Sequence, residues 1–417
     1  MATKYVLIGN SAASLAAVDG IRKFDKQGEI VLINREEGPA YSRVALPYYV
    51  AGEMSLSDLL IRQELDYNKI GVSLVENENV KAIDPAAKQI ELASGKKIGY
   101  DKLFIGTGSE TLVPPIQGLG QVPHHYLWTL DDAVGMKAAA EKAKTAVIIG
   151  GGFIGMLAAE ALRKLKIQLT IVEMAPMLLP QLLDDGAGKL FLQAVRDEGV
   201  TVRTGSLVSA LAKKSDGIEV SLKDGDVFTV DMVVVATGVR PNVRFLQNGA
   251  VTLNKGVLVN EYLQTNHPDI YAGGDVAETK DFLSDSRSIY AIWPTAIDQG
   301  RAAGANMAGK RQAYPGSLGM NVVELFKVTL AQLGRFREGP GDEVKMLAKG
   351  DDGFYRKVVV GKDGTLVGAV YLGDANGVAE MGVIHSAIRR REKWQGFSDG
   401  RPPRFSYGSV MINAPRY

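Results

Sequence analysis

Ala146-Val147-Ile148-Ile149-Gly150-Gly151-Gly152-Phe153-Ile154-Gly155 carries the fold. Four residues of buried-strand character run into a full G-x-G-x-x-G, and a helical pattern over residues 153–166 follows. The first glycine makes a tight turn, the second lets a pyrophosphate approach the backbone, and the third lets helix and strand pack closely. The start of the helix then faces the phosphates with unpaired N–H groups. Residues 168–172 read as the second strand, and Glu173 closes it at about the 20-residue spacing of the dinucleotide fingerprint. A carboxylate there accepts hydrogen bonds from a ribose 2′-hydroxyl and repels a 2′-phosphate. No Lys or Arg lies between 174 and 188 to receive such a phosphate, so the site is expected to take NAD(H) rather than NADP(H). The candidate NAD residues are Gly150, Gly152, Phe153, Ile154 and Glu173, with Thr237 and Gly238 from the turn that follows a later strand.

The same pattern occurs earlier. Tyr5-Val6-Leu7-Ile8-Gly9 echoes the strand into Gly150, and Leu103-Phe104-Ile105-Gly106-Thr107-Gly108 echoes Val233-Val234-Val235-Ala236-Thr237-Gly238. A helical stretch (12–23) and a strand (30–33) follow the first turn, so the βαβ unit appears twice. The first copy reads Gly9-Asn10-Ser11-Ala12-Ala13-Ser14, with serine at the second and third glycine positions. Serine is small enough for close approach, and its hydroxyl can donate to phosphate. Glu36, in the run Asn34-Arg35-Glu36-Glu37 after the second strand, is the expected ribose partner in this copy.

Composition sets the limits. With 417 residues, two to four domains are expected at about 100–200 residues each. Hydrophobic residues are 46% and charged residues 23%, as in a globular protein. Lys+Arg 48 against Asp+Glu 47 leaves +1, so no basic field points to nucleic acid or an anionic membrane. The 47 glycines, about 11% against a usual ~7%, fit backbone contacts to ligands. Cysteine is zero, which removes disulfides, thiolate nucleophiles, Cys-ligated zinc and all-Cys iron–sulfur clusters from this sequence. No apolar stretch approaches the ~20 residues of a membrane span. The first apolar run is too short for a signal-peptide core, and a cytoplasmic protein is expected.

The rest of the chain sorts around the two units. Residues 75–98 read as an antiparallel hairpin with turns at Asp84-Pro85 and Ser94-Gly95, and 218–230 as another with Lys223-Asp224-Gly225-Asp226 at its tip. Pro114-Pro115 marks a crossing between domains. From about 319, residues 325–330, 357–360 and 366–371 read as strands of a separate C-terminal domain, with a charged helix over 379–393. The four histidines, His124, His125, His267 and His385, show no ligand spacing; surface or loop positions are expected for most, and no metal site. Arg389-Arg390-Arg391-Glu392-Lys393 reads as a solvated helix end, or more sharply as a docking patch for an acidic electron carrier.

Thr265-Asn266-His267-Pro268-Asp269-Ile270-Tyr271-Ala272-Gly273-Gly274-Asp275 places a strand before Gly-Gly-Asp. With Gly9, the Gly150 motif and the two Thr-Gly turns, it resembles the pyridine nucleotide–disulfide oxidoreductase superfamily of FAD flavoproteins over residues 1 to about 310. That resemblance implies an α/β fold: two doubly wound, Rossmann-like domains of glutathione-reductase type plus a C-terminal α+β interface domain. The expected divisions are 1–113 and 239–318 for FAD, 114–238 for NAD and 319–417 for the interface. It assigns Asp275 to the flavin ribityl chain and Trp293-Pro294-Thr295-Ala296-Ile297-Asp298-Gln299-Gly300 to a helix over the flavin. The candidate FAD residues are then Gly9, Ser11, Ala12, Ala13, Glu36, Arg43, Val80, Thr107, Gly108, Gly274, Asp275, Pro294 and Thr295.

Family members with one redox cysteine carry it just before Ala-Leu-Pro-Tyr. This chain reads Tyr41-Ser42-Arg43-Val44-Ala45-Leu46-Pro47-Tyr48, with Val44 in that place. It is more similar to the cysteine-free branch: reductases of rubredoxin and ferredoxins, and the flavin region of nitrite reductases. In that branch the Arg of a Tyr-x-Arg motif, here Arg43, lies near the flavin. Leu157 and Trp128 stand where the branch usually has Glu and Arg, which removes charge from around the flavin and nicotinamide. The resemblance implies an FAD-dependent NAD(H) oxidoreductase with no catalytic side chain, since the flavin carries the chemistry. It implies an external iron–sulfur partner, such as another subunit of a 2-oxoacid (phenylglyoxylate-type) oxidoreductase complex. A homodimer, or binding of those subunits, is expected through the C-terminal domain. A stand-alone NADH oxidase, a rubredoxin or ferredoxin reductase, and an NAD(H)-sensing flavoprotein resembling apoptosis-inducing factor are the other readings.

Overall fold

The computed structural model describes residues 2–246, 249–349 and 355–394. The chain forms two compact units. One holds residues 1–46, 54–112 and 239–318; the other holds 47–53, 113–238 and the chain from 319 onward.

In the first unit, five parallel strands lie in the order Ile270–Ala272, Lys102–Ile105, Lys4–Ile8, Glu29–Ile33, Val72–Val75. Tyr5, Val6, Leu7 and Ile8 are all buried, as expected of a parallel sheet covered on both faces. The chain leaves Lys4–Ile8 toward Glu29–Ile33 on one side, and Lys102–Ile105 lies on the other. Its carboxyl end is therefore a topological switch point, where open α/β sheets bind ligands. The helix Ala12–Phe24 crosses Trp293–Met307 with very little separation. A Cβ on Gly300 would stand 2.1 Å from Ala13 O, and one on Gly304 2.1 Å from Ala17 O. The small-residue composition of both helices is what allows that approach.

Val75 does not begin the expected hairpin. It ends the parallel strand Val72–Val75, and the antiparallel part is a three-stranded meander of Val80–Asp84, Gln89–Leu92 and Lys97–Gly99. Alternation of apolar residues states that a strand exists, not which neighbour it pairs with.

The second unit repeats the architecture with parallel strands Thr201–Thr204, Gln168–Glu173, Thr145–Ile149 and Met232–Val235, in that order. The expected hairpin over 218–230 exists as Gly217–Leu222 and Val227–Val230 and gains a third strand, Val208–Lys214. The C-terminal part is a five-stranded antiparallel sheet ordered Met320–Leu325, Val328–Gly334, Leu366–Gly373, Tyr355–Val360, Glu343–Lys349. The helix Val378–Arg389 packs on its central strands. The structure thus has the expected mixed α/β fold, with two parallel, doubly wound sheets and an α+β C-terminal part.

Residues 325–330 are not one strand. Phe326 and Lys327 both adopt left-handed backbone (φ 50° and 61°) and form a two-residue hairpin turn. The Phe326 side chain is 1% exposed, its ring centroid lies 6.3 Å from that of Phe191, and the Arg163 guanidinium sits over it. Its N–H donates to Glu160 Oε2 (3.2 Å), and Lys327 pairs with Glu198 (2.7 Å). These contacts offset a conformation that nothing in the local sequence signals. The C-terminal helix also ends earlier than expected: Arg391 is left-handed (φ 55°), and Lys393 bridges to Thr365. Residues 395–417 lie outside the described part.

Candidate functional site

The first glycine turn joins the strand Lys4–Ile8 to the helix Ala12–Phe24. Gly9 is left-handed (φ 102°), and a Cβ there would stand 2.2 Å from Gly106 O, so only glycine fits. Ser11 is the helix N-cap, yet its side chain makes no capping bond, which leaves the N–H groups of the first turn available. Ala12 and Ala13 are buried in that turn. Two buried polar atoms here have no hydrogen-bond partner among the described residues: Asn10 Nδ2 and Ser14 Oγ. Tyr67 orients Asn10 by donating its hydroxyl to Asn10 Oδ1 (2.8 Å), which leaves the amide N–H groups turned to whatever fills the turn.

The Gly273-Gly274-Asp275 loop lies beside this turn. Gly274 is left-handed, and a Cβ on it would stand 3.1 Å from the Ala13 Cβ. Its N–H donates to the buried Gln299 Oε1 (2.7 Å) on the helix Trp293–Met307, whose first turn holds Pro294 and the buried Thr295. Gln299 in turn donates to Ser317 Oγ (3.1 Å) and Thr279 Oγ1 (3.4 Å). Thr107 Oγ1 donates to Asn242 O (2.9 Å), Gly108 faces open space, and Ser109 donates its hydroxyl to Asp275 Oδ2 (2.8 Å). Burial pushes the Asp275 carboxyl up; the Ser109 hydroxyl and the Arg43 charge oppose this without overcoming it. Such a carboxylate is short of donors, which is the environment a polyol chain would relieve.

Arg43, in the short helix Arg43–Ala45, donates Nη2 to Glu36 Oε1 (2.5 Å) and stacks over the Tyr41 ring. Tyr41 donates its hydroxyl to Glu36 Oε2 (2.6 Å). Burial alone would raise the Glu36 carboxyl, but Arg43, Tyr41 and Arg35 together hold it below the usual range. Val80 opens the strand Val80–Asp84, two residues past Glu78, whose N–H donates to Asn34 O (3.0 Å). Val44, at the position of the family's cysteine, is 56% exposed.

The second glycine turn repeats the first. Gly150 is left-handed (φ 110°), and a Cβ there would stand 2.3 Å from Ala236 O, next to Thr237; Gly238 is left-handed as well. Gly152 caps the helix Phe153–Lys164 and has open space before it. A Cβ on Gly155 would stand 2.0 Å from Gly150 O, so the third glycine serves close helix–strand packing as expected. Phe153 and Ile154 form the first helical turn. Glu173 Oε2 accepts the Gly151 N–H (2.5 Å) and Oε1 the Ala175 N–H (2.6 Å), so the carboxylate is locked at the mouth of the turn. An acceptor-only group with lone pairs to spare suits a ribose diol.

The structure therefore gathers Gly9, Ser11, Ala12, Ala13, Gly274, Asp275, Thr107 and Gly108 in the first unit, and Gly150, Gly152, Phe153, Ile154, Glu173, Thr237 and Gly238 in the second. The open glycine turns and helix starts without side-chain caps fit phosphate- and ribose-bearing cofactors in both, and the orphaned Asn10 amide adds to this in the first unit. Asn10 and Gln299 join the site from within the Gly9 turn and the Trp293–Met307 helix, and no pattern in the sequence singles either out. Leu157 and Trp128 are half-buried. His124, His125 and His267 lie outside the named helices and strands, as expected for most, and His385 lies on the helix Val378–Arg389; all four are half-buried, and burial lowers His125. Among the described residues no cluster of three or more His, Cys, Asp or Glu is placed to hold a metal, and no helix is long and apolar enough to cross a membrane.

The profile of the pyridine nucleotide-disulphide oxidoreductase family matches residues 3–300. The epsilon subunit of NADH-dependent phenylglyoxylate dehydrogenase from Aromatoleum evansii is 33% identical, over 93% of this chain and 92% of its own length. An NADH oxidase from Methanocaldococcus jannaschii is 31% identical over 74% of this chain and 71% of its own. The solved structure of an NAD-dependent persulfide reductase from A. fulgidus superposes with a TM-score of 0.88 at 27% identity, covering 94% of this chain and 77% of that one.

Proposed function

The chain belongs to the pyridine nucleotide-disulphide oxidoreductase family and is an oxidoreductase of FAD and NAD(H); on that premise we propose that it exchanges electrons with an external iron–sulfur partner, as the NAD(H)-linked subunit of a 2-oxoacid oxidoreductase complex. The observation that carries this reading is the repeated glycine turn, Gly9 against Gly106 O and Gly150 against Ala236 O, in a sequence without cysteine. Two nucleotide sites fit a hydride donor and a flavin. Without a thiol, the electrons leave the flavin for a carrier outside this sequence. The likeness to the phenylglyoxylate dehydrogenase epsilon subunit, over nearly its whole length, supports the complex and the 2-oxoacid chemistry upstream.

Bound FAD would supply the redox chemistry between NAD(H) and the acceptor. The chain's own residues bind and orient. Gly9, Ser11, Ala12 and Ala13 hold the FAD pyrophosphate. Glu36, aligned by Arg43 and Tyr41, takes the adenosine ribose with Val80 beside it. Asp275, steered by Ser109, takes the ribityl hydroxyls, while Thr107, Gly108, Gly274, Pro294 and Thr295 line the flavin half. Gly150, Gly152, Phe153 and Ile154 hold the NAD pyrophosphate, Glu173 reads its ribose, and Thr237 and Gly238 close the turn. Residues 1–113 and 239–318 serve FAD, 114–238 serve NAD(H), and 319–417 form the interface with other subunits or a second copy.

The test is the purified chain, reconstituted with FAD and titrated with NADH without oxygen. Bleaching of the flavin, then stoichiometric reoxidation by an oxidised iron–sulfur protein faster than by air, is the expected result. Native pull-down should bring down subunits containing iron and acid-labile sulfide. The likeness to the M. jannaschii NADH oxidase favours a second reading, in which oxygen is the acceptor; rapid peroxide formation by the isolated chain would select it.

A further inference from the structure

Glu173 is followed by an irregular loop, residues 174–184, that folds back on the glycine turn. Leu179 is buried with left-handed backbone (φ 50°), and its N–H donates to Gly151 O (2.9 Å). Leu178 is fully buried against Gly151, where a Cβ would stand 2.5 Å from its methyl. The loop thus governs both Gly151 and the carboxylate that Gly151 orients.

The far end of this loop is held by the C-terminal sheet. Arg337, just past the strand Val328–Gly334, donates Nη2 to Leu183 O (2.9 Å) and Pro180 O (3.1 Å). Asp184 Oδ1 caps the next helix by accepting the Ala187 N–H (3.0 Å). Its other oxygen accepts the Tyr355 hydroxyl (2.9 Å) and pairs with Lys357 (2.5 Å), which is only 4% exposed. A buried lysine–carboxylate pair is weak evidence for stability. Its placement, with Arg337, at the anchorage of one loop gives it a positional meaning.

We propose that Arg337, backed by Tyr355 and Lys357, is a positioning residue of the NAD(H) site: it anchors residues 174–184 and so sets where Glu173 and Gly151 stand for the adenosine ribose. This rests on the NAD(H) reading above. The C-terminal sheet then tunes nucleotide affinity without touching the nucleotide.

The experiment measures binding of ADP-ribose to the FAD-loaded protein by calorimetry, beside KM for NADH and kcat with ferricyanide. Arg337→Gln should weaken ADP-ribose about tenfold and raise KM similarly, with kcat within about twofold, since misplacement of a binding group is felt far from the chemistry. Arg337→Lys, which can still donate to one carbonyl, should recover about half of that loss on a logarithmic scale. Unchanged ADP-ribose binding in Arg337→Gln overturns the proposal, as does equal loss in Gln and Lys variants with a parallel fall in thermal stability. If Arg337→Gln does not fold, Tyr355→Phe decides: weakening of about twofold to threefold supports the anchor, and none refutes it. A wild-type chain that binds no ADP-ribose sinks the NAD(H) reading instead.

Discussion

Gly106 lies against Ser14: a Cβ built on Gly106 would stand 2.3 Å from the Ser14 hydroxyl oxygen. In the second glycine turn the sizes are exchanged. Gly155 occupies the place of Ser14, and Ala236 that of Gly106, with 3.3 Å between the Ala236 Cβ and a Cβ built on Gly155. Each helix–strand crossing therefore admits one small side chain, and the two copies place it on opposite partners. This explains how the first copy keeps the fold while departing from G-x-G-x-x-G.

Gly106→Ala should destabilise the chain by about 1–3 kcal/mol through overpacking and lower FAD retention. Adding Ser14→Gly copies the arrangement of the second turn and should recover part of the loss. Recovery stays partial because the new methyl also meets Phe104 (2.8 Å). Thermal unfolding of the two single variants and the double variant measures the coupling; strict additivity would refute the exchange.

Asp275 yields a pH dependence. Its carboxyl is raised by burial from the ordinary 3.8, so the fold without FAD binds this proton more tightly than the unfolded chain does. The associated stability is complete below 3.8 and is lost as pH rises through the raised value. FAD works the other way, because ribityl hydroxyls donate to the ionised form. Affinity for FAD should thus fall as pH drops through the Asp275 range, and Asp275→Asn should abolish that slope while stabilising the FAD-free chain at neutral pH. Flavin fluorescence on release, and unfolding curves across the acid range, read the two arms.

The parallel sheets and both glycine turns were legible because their signals are local: buried runs, small residues at fixed spacing, and a carboxylate after the second strand. Glu36 was legible as a residue but not as half of a pair, since Arg43 reaches it only once residues 37–42 have turned. Asn10 sat in plain view, yet only its unpaired amide in the folded chain marks it. Val75 carries the alternation of the meander that follows but pairs with Ile33 in the parallel sheet, because periodicity names no partner. The turn at Phe326 was invisible because neither Phe nor Lys favours left-handed backbone; the reason for it lies in Phe191, Arg163 and Glu160, all distant in sequence.

That turn can be tested directly. Left-handed backbone costs roughly 1–2 kcal/mol at a non-glycine residue. Lys327 is mostly exposed, and its pair with Glu198 is worth at most about 1 kcal/mol. Lys327→Gly should therefore be neutral or stabilising by up to about 1 kcal/mol. Phe326→Ala should cost about 3–5 kcal/mol, because it empties a buried aromatic site. A Lys327→Gly variant clearly less stable than the parent in thermal denaturation would show that the turn carries no such strain.

Glu173 should decide between the two nicotinamide dinucleotides. Its oxygens accept the Gly151 and Ala175 N–H groups, and a carboxylate's remaining lone pairs suit hydroxyl donors rather than a phosphate. Glu173→Gln keeps the shape but replaces one acceptor with an NH2 group, which cannot accept from either backbone N–H. KM for NADH should rise about tenfold, as expected when a buried polar partner is left unpaired, with kcat little changed. Met174 is 72% exposed beside it, so Arg placed there can reach a 2′-phosphate without displacing packed residues. Glu173→Ser with Met174→Arg should then invert the NADH:NADPH ratio of kcat/KM, measured with ferricyanide as acceptor. If that ratio stays put in both variants, the ribose is read elsewhere and Glu173 serves only to brace Gly151.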